Sequence, residues 1–291
     1  MRARDASNRD LDTTAIKIKF SPFTWLNLVC LDAPLVAVSW LWLFARSCGI
    51  TVAYGGTVAL FLTAWLIYLA DRLGDSMAAP QRAATSLRQR FCIRHRAAWM
   101  VLLGTVALAD LLVVFAHLDP RMLWPGAIVG AAAMAYLIVN QLRPSIWRRL
   151  PLKEISVGSL FTAGTLLPLA HGLGRAHAPA ALLFACLCSM NCITIAVWER
   201  WLDVAQERVS VATAIPSIGR WLMAGLLVLS TAGLGLVLFG AAGSPIFLCI
   251  AVSAALLAAL HRARGGLQPD ARTALADIVL LTPIIAAIIW R

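Results

Sequence analysis

The chain has 291 residues, of which 60% are hydrophobic and only 13% charged, and its mean hydropathy is +0.80. An ordinary soluble domain is about 45–50% apolar and about 25% charged. This composition excludes a soluble enzyme, a disordered chain, a secreted disulfide scaffold and a collagen-like fibre. The apolar runs are continuous, which favours membrane-spanning helices over a transmembrane β-barrel.

Nine apolar runs are long enough to be predicted as membrane-spanning helices. They cover residues 23–45, 50–70, 97–117, 121–141, 154–171, 180–200, 219–240, 244–261 and 273–290. The polar residues 1–20 are predicted to form a cytoplasmic tail, and residues 21–291 a single transmembrane domain. The sequence therefore predicts an all-α polytopic membrane protein, a bundle of nine transmembrane helices.

The distribution of basic residues predicts the orientation of this bundle. Twenty-one of the 25 lysines and arginines lie in the N-terminal tail or in the loops after the second, fourth, sixth and eighth segments. Cytoplasmic loops carry an excess of such residues, so the N-terminus is predicted to be cytoplasmic. The net charge of +11 is then explained by topology and contact with membrane lipids, and nucleic-acid binding is not expected.

Acidic residues concentrate at the predicted cytoplasmic ends of two segments. Asp71 and Asp75 close the second segment and are four residues apart, so they share one helix face. Glu199, Asp203 and Glu207 repeat this spacing at the end of the sixth segment. Like charges at this spacing are destabilising unless they are neutralised. The alternative for either cluster alone is a set of solvated charges at the membrane interface.

Two such clusters on the same side of the membrane favour a site for a divalent cation. Mg²⁺ prefers oxygen ligands, keeps several waters and is often completed by substrate phosphates. Arginines follow each cluster, and arginine forms charge-assisted hydrogen bonds with phosphate oxygens. The sequence thus predicts a site for a magnesium ion and a diphosphate.

The order and spacing of these motifs resemble the UbiA-type intramembrane prenyltransferase superfamily. Its members have nine transmembrane helices, with the motif NDxxDxxxD after helix two and the motif DxxxD after helix six. Residues 67–75 read IYLADRLGD and match the last two aspartates of the first motif. Residues 199–203 read ERWLD and match the second motif acid for acid. The leading Asn-Asp pair of the family is replaced here by Ile67 and Tyr68.

Two weaker similarities extend the resemblance along the chain. Residues 31–34 read LDAP, similar to the family's Arg-x-Asp-x-Pro segment without its arginine. Tyr136, Lys153 and Gly158 are similar to a Tyr, Lys and Gly pattern that links helices four and five. The chain is therefore identified as a divergent relative of this family.

The resemblance implies Mg²⁺-dependent transfer of a prenyl group from a polyprenyl diphosphate to a lipophilic or aromatic acceptor. It also implies a bacterial cytoplasmic (inner) membrane protein whose active site faces the cytoplasm. The expected catalytic and metal-binding residues are Asp71, Asp75, Glu199 and Asp203, with Glu207 as a further metal ligand. The expected substrate-binding residues are Arg72, Lys153, Arg200, Tyr68 and Asn191.

Three other interpretations remain open at this point. A related enzyme could cyclise the prenyl cation with the same acids and without an acceptor. A non-catalytic lipid-binding relative could keep the fold after losing part of the first motif. A secondary transporter is less favoured, because transporters place their ionisable sites near the membrane midplane.

Overall fold

The computed structural model describes residues 22–78, 85–150 and 152–289, and these residues form helices and connecting segments with no strand. The all-α prediction is confirmed for this part of the chain. The predicted tail, residues 1–20, lies outside the described residues.

The described residues contain fourteen α-helices, numbered here in chain order. The first seven are α1 (Pro22–Leu28), α2 (Asp32–Cys48), α3 (Tyr54–Ala78), α4 (Leu87–Arg94), α5 (Arg96–His117), α6 (Pro120–Leu142) and α7 (Ser145–Arg149). The others are α8 (Lys153–Leu166), α9 (Ala178–Ala205), α10 (Val211–Ala214), α11 (Ile218–Leu238), α12 (Ser244–Ala263), α13 (Pro269–Ile278) and α14 (Thr282–Ile289).

Seven helical stretches in the described residues are long and apolar enough to cross a membrane. They are α3, α5, α6, α9, α11, α12 and the α13–α14 pair, and they fit an integral membrane protein. The remaining two predicted segments fall on α2, with 17 residues, and α8, with 14. These helices are short for a bilayer core of about 30 Å, so nine crossings remain a prediction.

The first predicted segment, 23–45, is interrupted where α1 ends. Cys30 adopts a left-handed backbone conformation, with φ of 59°, which turns the chain before α2 begins. The indole N–H of Trp65 in α3 donates to the carbonyl of Val29 at 3.0 Å, because a backbone group freed in an apolar setting needs a partner. This turn brings the polar residues around Asp32 into the bundle.

Aromatic stacking and close helix crossings hold the bundle together. Trp40 of α2 stacks on Phe184 of α9 with ring centroids 4.4 Å apart, and its indole N–H donates to the carbonyl of Leu280 at 2.8 Å. Gly158 lets α8 approach α9 closely, since a Cβ there would lie 2.6 Å from the backbone nitrogen of Ser189. Such small-residue contacts are a general feature of membrane helix packing.

The outer surfaces of α5, α6 and α11 carry large apolar side chains. Phe115, Trp124 and Leu238 are each at least three-quarters exposed. Exposed apolar surface of this extent is unfavourable in water and favourable against lipid tails. It therefore marks the perimeter of the bundle.

Three of the loops predicted to be cytoplasmic, those after the second, sixth and eighth segments, meet at one end of the bundle. The N–H of Leu87 donates to Asp270 at 3.1 Å, and the side-chain amides of Gln89 and Gln206 exchange two hydrogen bonds. At the opposite end, Gly55 lies against the carbonyl of His117. These three basic loops therefore share one end, which we call the basic end.

Candidate active site

An apolar cavity of about 660 Å³ lies between α2, α3, α6, α8 and α9. Its wall along α3 extends from Gly56 to Asp71, which at 1.5 Å per residue is roughly 22 Å. Most of the lining residues are Ala, Gly, Val, Leu, Ile or Phe. The cavity has the length and the lining to hold a hydrocarbon chain.

Polar side chains interrupt this lining near the basic end. Tyr68 and Asp71 of α3, Tyr136 of α6, Asn191 of α9 and Asp277 of α13 all line the cavity. Three of the residues predicted from the sequence, Tyr68, Asp71 and Asn191, therefore share one cavity.

The first predicted motif is supported by amides of α6. Asn140 donates to Asp71 Oδ1 at 3.3 Å, and Gln141 donates to Asp75 Oδ1 at 3.4 Å. Gly74 makes room for this contact, because a Cβ there would lie 2.6 Å from Gln141 Nε2. Asp71 and Asp75 are also electrostatic neighbours on one face of α3.

Arg208 joins the region after the second motif to the first motif. Its guanidinium lies 2.7 Å from Asp75 Oδ2 and also donates to the Asp75 carbonyl. Lys153 and Arg208 are electrostatic neighbours of both Asp71 and Asp203. Acids from α3 and α9, distant along the chain, therefore surround the same two cations.

Glu199 has a different surrounding from Asp203. It accepts a hydrogen bond from Arg88 of α4 in a mostly buried ion pair, and another from Thr273 of α13 at 3.0 Å. Both of its carboxylate oxygens are thus engaged with side chains of the protein. The metal-binding role predicted for Glu199 stays a prediction, but any cation there must compete with Arg88.

The expected shared face does not extend to Glu207. Helix α9 ends at Ala205, and Glu207 follows it with φ of 55° and an exposed side chain. The i, i+4 spacing places residues on one face only while the helix continues. The prediction that Glu207 shares a helix face with Glu199 and Asp203 is therefore wrong. Its role as a metal ligand remains a prediction without that support.

The predicted phosphate-binding cations have three different environments. Arg72 is buried, donates to the Tyr68 hydroxyl at 2.7 Å and lies over the Tyr68 ring at 5.0 Å. Arg200 is exposed at the basic end. Lys153 is half-buried beside Asp71 and Asp203. Of the three, Lys153 is the best placed to reach a group bound at Asp71.

Two arginines and one aspartate of this site were not singled out from the sequence. In the sequence Arg88 and Arg208 are basic residues of two loops among many, and Asp277 is an acid inside the apolar segment 273–290. An ionisable residue inside an apolar segment is a general signal for a functional site. That signal could have identified Asp277, whereas the pairing of the two arginines depends on the tertiary structure.

The carboxylates fit a magnesium ion that is completed by a phosphate ligand. Among the described residues, no three His, Cys, Asp or Glu side chains form a ready-made metal cluster. Mg²⁺ is, however, often bound by one or two carboxylates together with substrate phosphates. Asp71 and Asp75 are two carboxylates on one face with Lys153 and Arg208 as cationic neighbours, so these are the residues that could hold such an ion and its phosphate ligand.

Comparison with known proteins adds no assignment to this geometry. No protein-family model, no curated protein and no solved structure matches the chain.

Proposed function

We propose that this protein is a membrane prenyltransferase, which transfers a prenyl group from a polyprenyl diphosphate to a lipophilic or aromatic acceptor with the help of Mg²⁺. The observation that carries this proposal is the apolar cavity of about 660 Å³ with Asp71 in its wall and the Asp75–Arg208 ion pair next to it. Hydrocarbon and diphosphate need opposite environments, and this arrangement offers both.

The cavity supports the binding of the prenyl chain. Burial of apolar groups contributes about 0.8 kcal/mol per CH₂, so a chain of isoprene units gains most of its affinity from contact with this lining. The aromatic faces of Tyr68, Tyr136 and Phe161, which line the cavity, can stabilise an allylic cation. A dry lining also excludes water, which would otherwise capture that cation.

The acids and cations near the basic end support the binding of the diphosphate. When bound, Mg²⁺ would stabilise the negative charge of the departing diphosphate. Asp71 and Asp75 would hold the ion, and Asp203 lies beside the same cations. A metal ion bound at Asp75 would compete with Arg208 for the carboxylate. The displaced guanidinium of Arg208 would then be free to donate to phosphate oxygens. Lys153 adds a second positive charge.

The proposed orientation places this site at the cytoplasmic surface of a bacterial inner membrane. The support comes from the gathering of the basic loops at the end of the bundle that carries Asp75 and Arg208. The positive-inside rule then directs this end to the cytoplasm. A soluble diphosphate headgroup and Mg²⁺ can reach the site from that side, while the chain enters from the lipid.

Binding of a prenyl thiolodiphosphate, which cannot release its chain readily, tests the proposal without knowledge of the acceptor. The protein is placed in lipid nanodiscs with Mg²⁺ and farnesyl thiolodiphosphate. Wild-type protein is expected to bind, and Asp71→Asn is expected to weaken binding at least about tenfold. Asp119→Asn is the matched control, because Asp119 lies at the start of α6, where it accepts from the N–H of Arg121 at 2.9 Å.

Consumption of farnesyl diphosphate in the same nanodiscs then tests catalysis. A Mg²⁺-dependent release of diphosphate that is lost in Asp71→Asn supports an enzyme. Product analysis separates a prenylated acceptor from a cyclised hydrocarbon. Absence of both binding and release for wild-type protein, with chains of several lengths, would refute the proposed function.

A further inference from the structure

Four polar residues, three of them buried and Asp277 half-buried, form a cluster at the cavity wall: Asn27, Asp32, Asn191 and Asp277. The side-chain amide of Asn27 donates to Asp32 Oδ2 at 2.6 Å and to Asp277 Oδ2 at 3.3 Å. The amide of Asn191 donates to Asp277 Oδ1 at 2.9 Å. The carboxyl group of Asp277 in α13 thus accepts hydrogen bonds from side chains of both α1 and α9.

Only one side of this cluster faces the cavity. Asp277 and Asn191 line the cavity, whereas Asp32 lies behind them and is 2% exposed. Asp32 is held in place by the N–H of Ala33 at 3.0 Å. A ligand in the cavity can therefore contact Asp277 and Asn191, and Asp32 acts on it only through Asp277.

One atom of the cluster has an unmet hydrogen-bonding requirement. Asn191 is 6% exposed, and its Oδ1 is a buried acceptor without a hydrogen-bond partner. A buried acceptor left without a partner is unfavourable. With Asp277 ionised, exchanging the two amide atoms of Asn191 would place oxygen against Asp277 Oδ1 and would not relieve it. A ligand that donates an O–H or N–H in the cavity would satisfy this acceptor.

Asp277 is the carboxyl group of this cluster that a ligand in the cavity can reach. Its charged neighbours are Asp32 and Arg88, and Tyr68 and Cys192 lie close to it as well. Both of its oxygens accept hydrogen bonds from amides, Oδ1 from Asn191 and Oδ2 from Asn27, so the carboxyl group is held in one orientation at the cavity wall.

We propose that Asp277 is the catalytic base of the reaction and that Asn191 Oδ1 binds a hydroxyl or amino group of the acceptor. This inference rests on the proposed function. The bond between the prenyl carbon and the diphosphate oxygen breaks, and its electron pair leaves with the diphosphate. An electron pair of the acceptor forms the new bond to the prenyl carbon, and the proton that the acceptor loses passes to the Asp277 carboxylate. Asn27 and Asp32 are positioning residues.

The test uses p-cresol as a probe acceptor with a hydroxyl group, and p-xylene as its analogue without one. Protein in nanodiscs receives farnesyl diphosphate and Mg²⁺, and diphosphate release is measured with each probe. We expect p-cresol, but not p-xylene, to stimulate release and to be prenylated by wild-type protein. Asp277→Asn is expected to lower this stimulated rate by at least about 100-fold, the usual scale for loss of a general base.

A second measurement separates chemistry from folding and from donor binding. Asp277→Asn is expected to bind farnesyl thiolodiphosphate within about threefold of wild type, unlike Asp71→Asn. Ser253→Ala is the control for stability, because Ser253 is fully buried and bonds Thr282 of α14 at 2.8 Å without lining the cavity. Asp277→Glu, which keeps a carboxylate, is expected to recover part of the stimulated rate.

Three results would overturn the inference while the proposed function stands. The first is a stimulated rate in Asp277→Asn within threefold of wild type. The second is equal stimulation by p-cresol and p-xylene. The third is a loss of both donor binding and thermal stability in Asp277→Asn that exceeds the loss in Ser253→Ala. Failure of wild-type protein to bind the thiolodiphosphate or release diphosphate is a different result. It would refute the proposed function and the inference with it.

Discussion

Arg208 Nη1 lies 2.7 Å from Asp75 Oδ2, although the two positions are 133 residues apart in the sequence. The contact joins the residues that follow α9 to the last turns of α3. The first acidic motif therefore contacts the segment that follows the second one. The contact also places a guanidinium where a diphosphate is proposed to bind. The pair is therefore a direct point at which to test the site.

Replacement of Arg208 by glutamine is expected to weaken binding of farnesyl thiolodiphosphate at least about tenfold, or about 1.4 kcal/mol. The reason is that the guanidinium proposed to donate to the phosphate oxygens is lost. The pair with Asp75 is about one-quarter exposed, so the loss in stability should stay near 1 kcal/mol. Titration in nanodiscs and thermal unfolding in detergent measure both effects. Arg121→Gln, at an exposed position at the start of α6, is the control, and equal binding by both variants would contradict the prediction.

The ion pair between Arg88 and Glu199 is expected to stabilise the fold. Each side chain is less than one-fifth exposed, so removal of one partner leaves a largely desolvated charge. Glu199→Gln should lower the stability by about 2 kcal/mol, and Arg88→Gln by a similar amount. A double-mutant cycle from unfolding in detergent should give a coupling energy of about 1–3 kcal/mol. Additive losses would show that the pair contributes nothing jointly.

Helices α8 and α9 pack so closely that a side chain at position 158 is not expected to fit between them. A Cβ on Gly158 would lie 2.3 Å from Ser189 Oγ and 2.6 Å from its backbone nitrogen. Gly158→Ala should therefore destabilise the protein by about 1–3 kcal/mol. Gly104→Ala, in α5 with open space at its Cβ, is expected to leave the melting temperature unchanged or to raise it. Equal melting temperatures for the two variants would contradict the proposed crossing.

The cavity is expected to set the length of the bound chain. Gly164 lines the cavity and has no atom within 4 Å of a Cβ built on it, so a phenylalanine is expected to be accepted there and to fill part of the space. Gly164→Phe should lower affinity for geranylgeranyl thiolodiphosphate at least about tenfold and spare the shorter geranyl compound. Gly104→Phe, at an exposed position that does not line the cavity, is the control. An equal loss for both chain lengths would argue against the cavity as the chain site.

Much of the fold follows from hydrophobicity along the chain. The seven long apolar helical stretches, such as α5 and α11, coincide with predicted segments, because a membrane core demands about 20 apolar residues in an internally hydrogen-bonded helix. The break near Cys30 was not predicted. A left-handed turn leaves the mean hydropathy of a segment unchanged, so a window of residues cannot detect it.

The site was predictable only where its chemistry is local. The i, i+4 spacing of Asp71 and Asp75 predicted a shared face. Both side chains accept hydrogen bonds on that face from side-chain amides of α6. The partners Arg88 and Arg208 come from remote positions, which the sequence alone does not place. For Glu207 the local pattern was misleading. Its spacing from Asp203 fits a helix face, but the helix ends at Ala205.

An experimental structure of the protein in nanodiscs, with Mg²⁺ and farnesyl thiolodiphosphate, would show whether the acids of α3 and α9 surround one diphosphate whose chain occupies the apolar cavity. We expect density for the diphosphate between Asp71, Asp75 and Asp203, with Arg208 turned toward it and the farnesyl chain extending toward Gly56. A chain bound elsewhere, or Asp75 still paired with Arg208 while the ligand lies at another surface, would refute the proposed site.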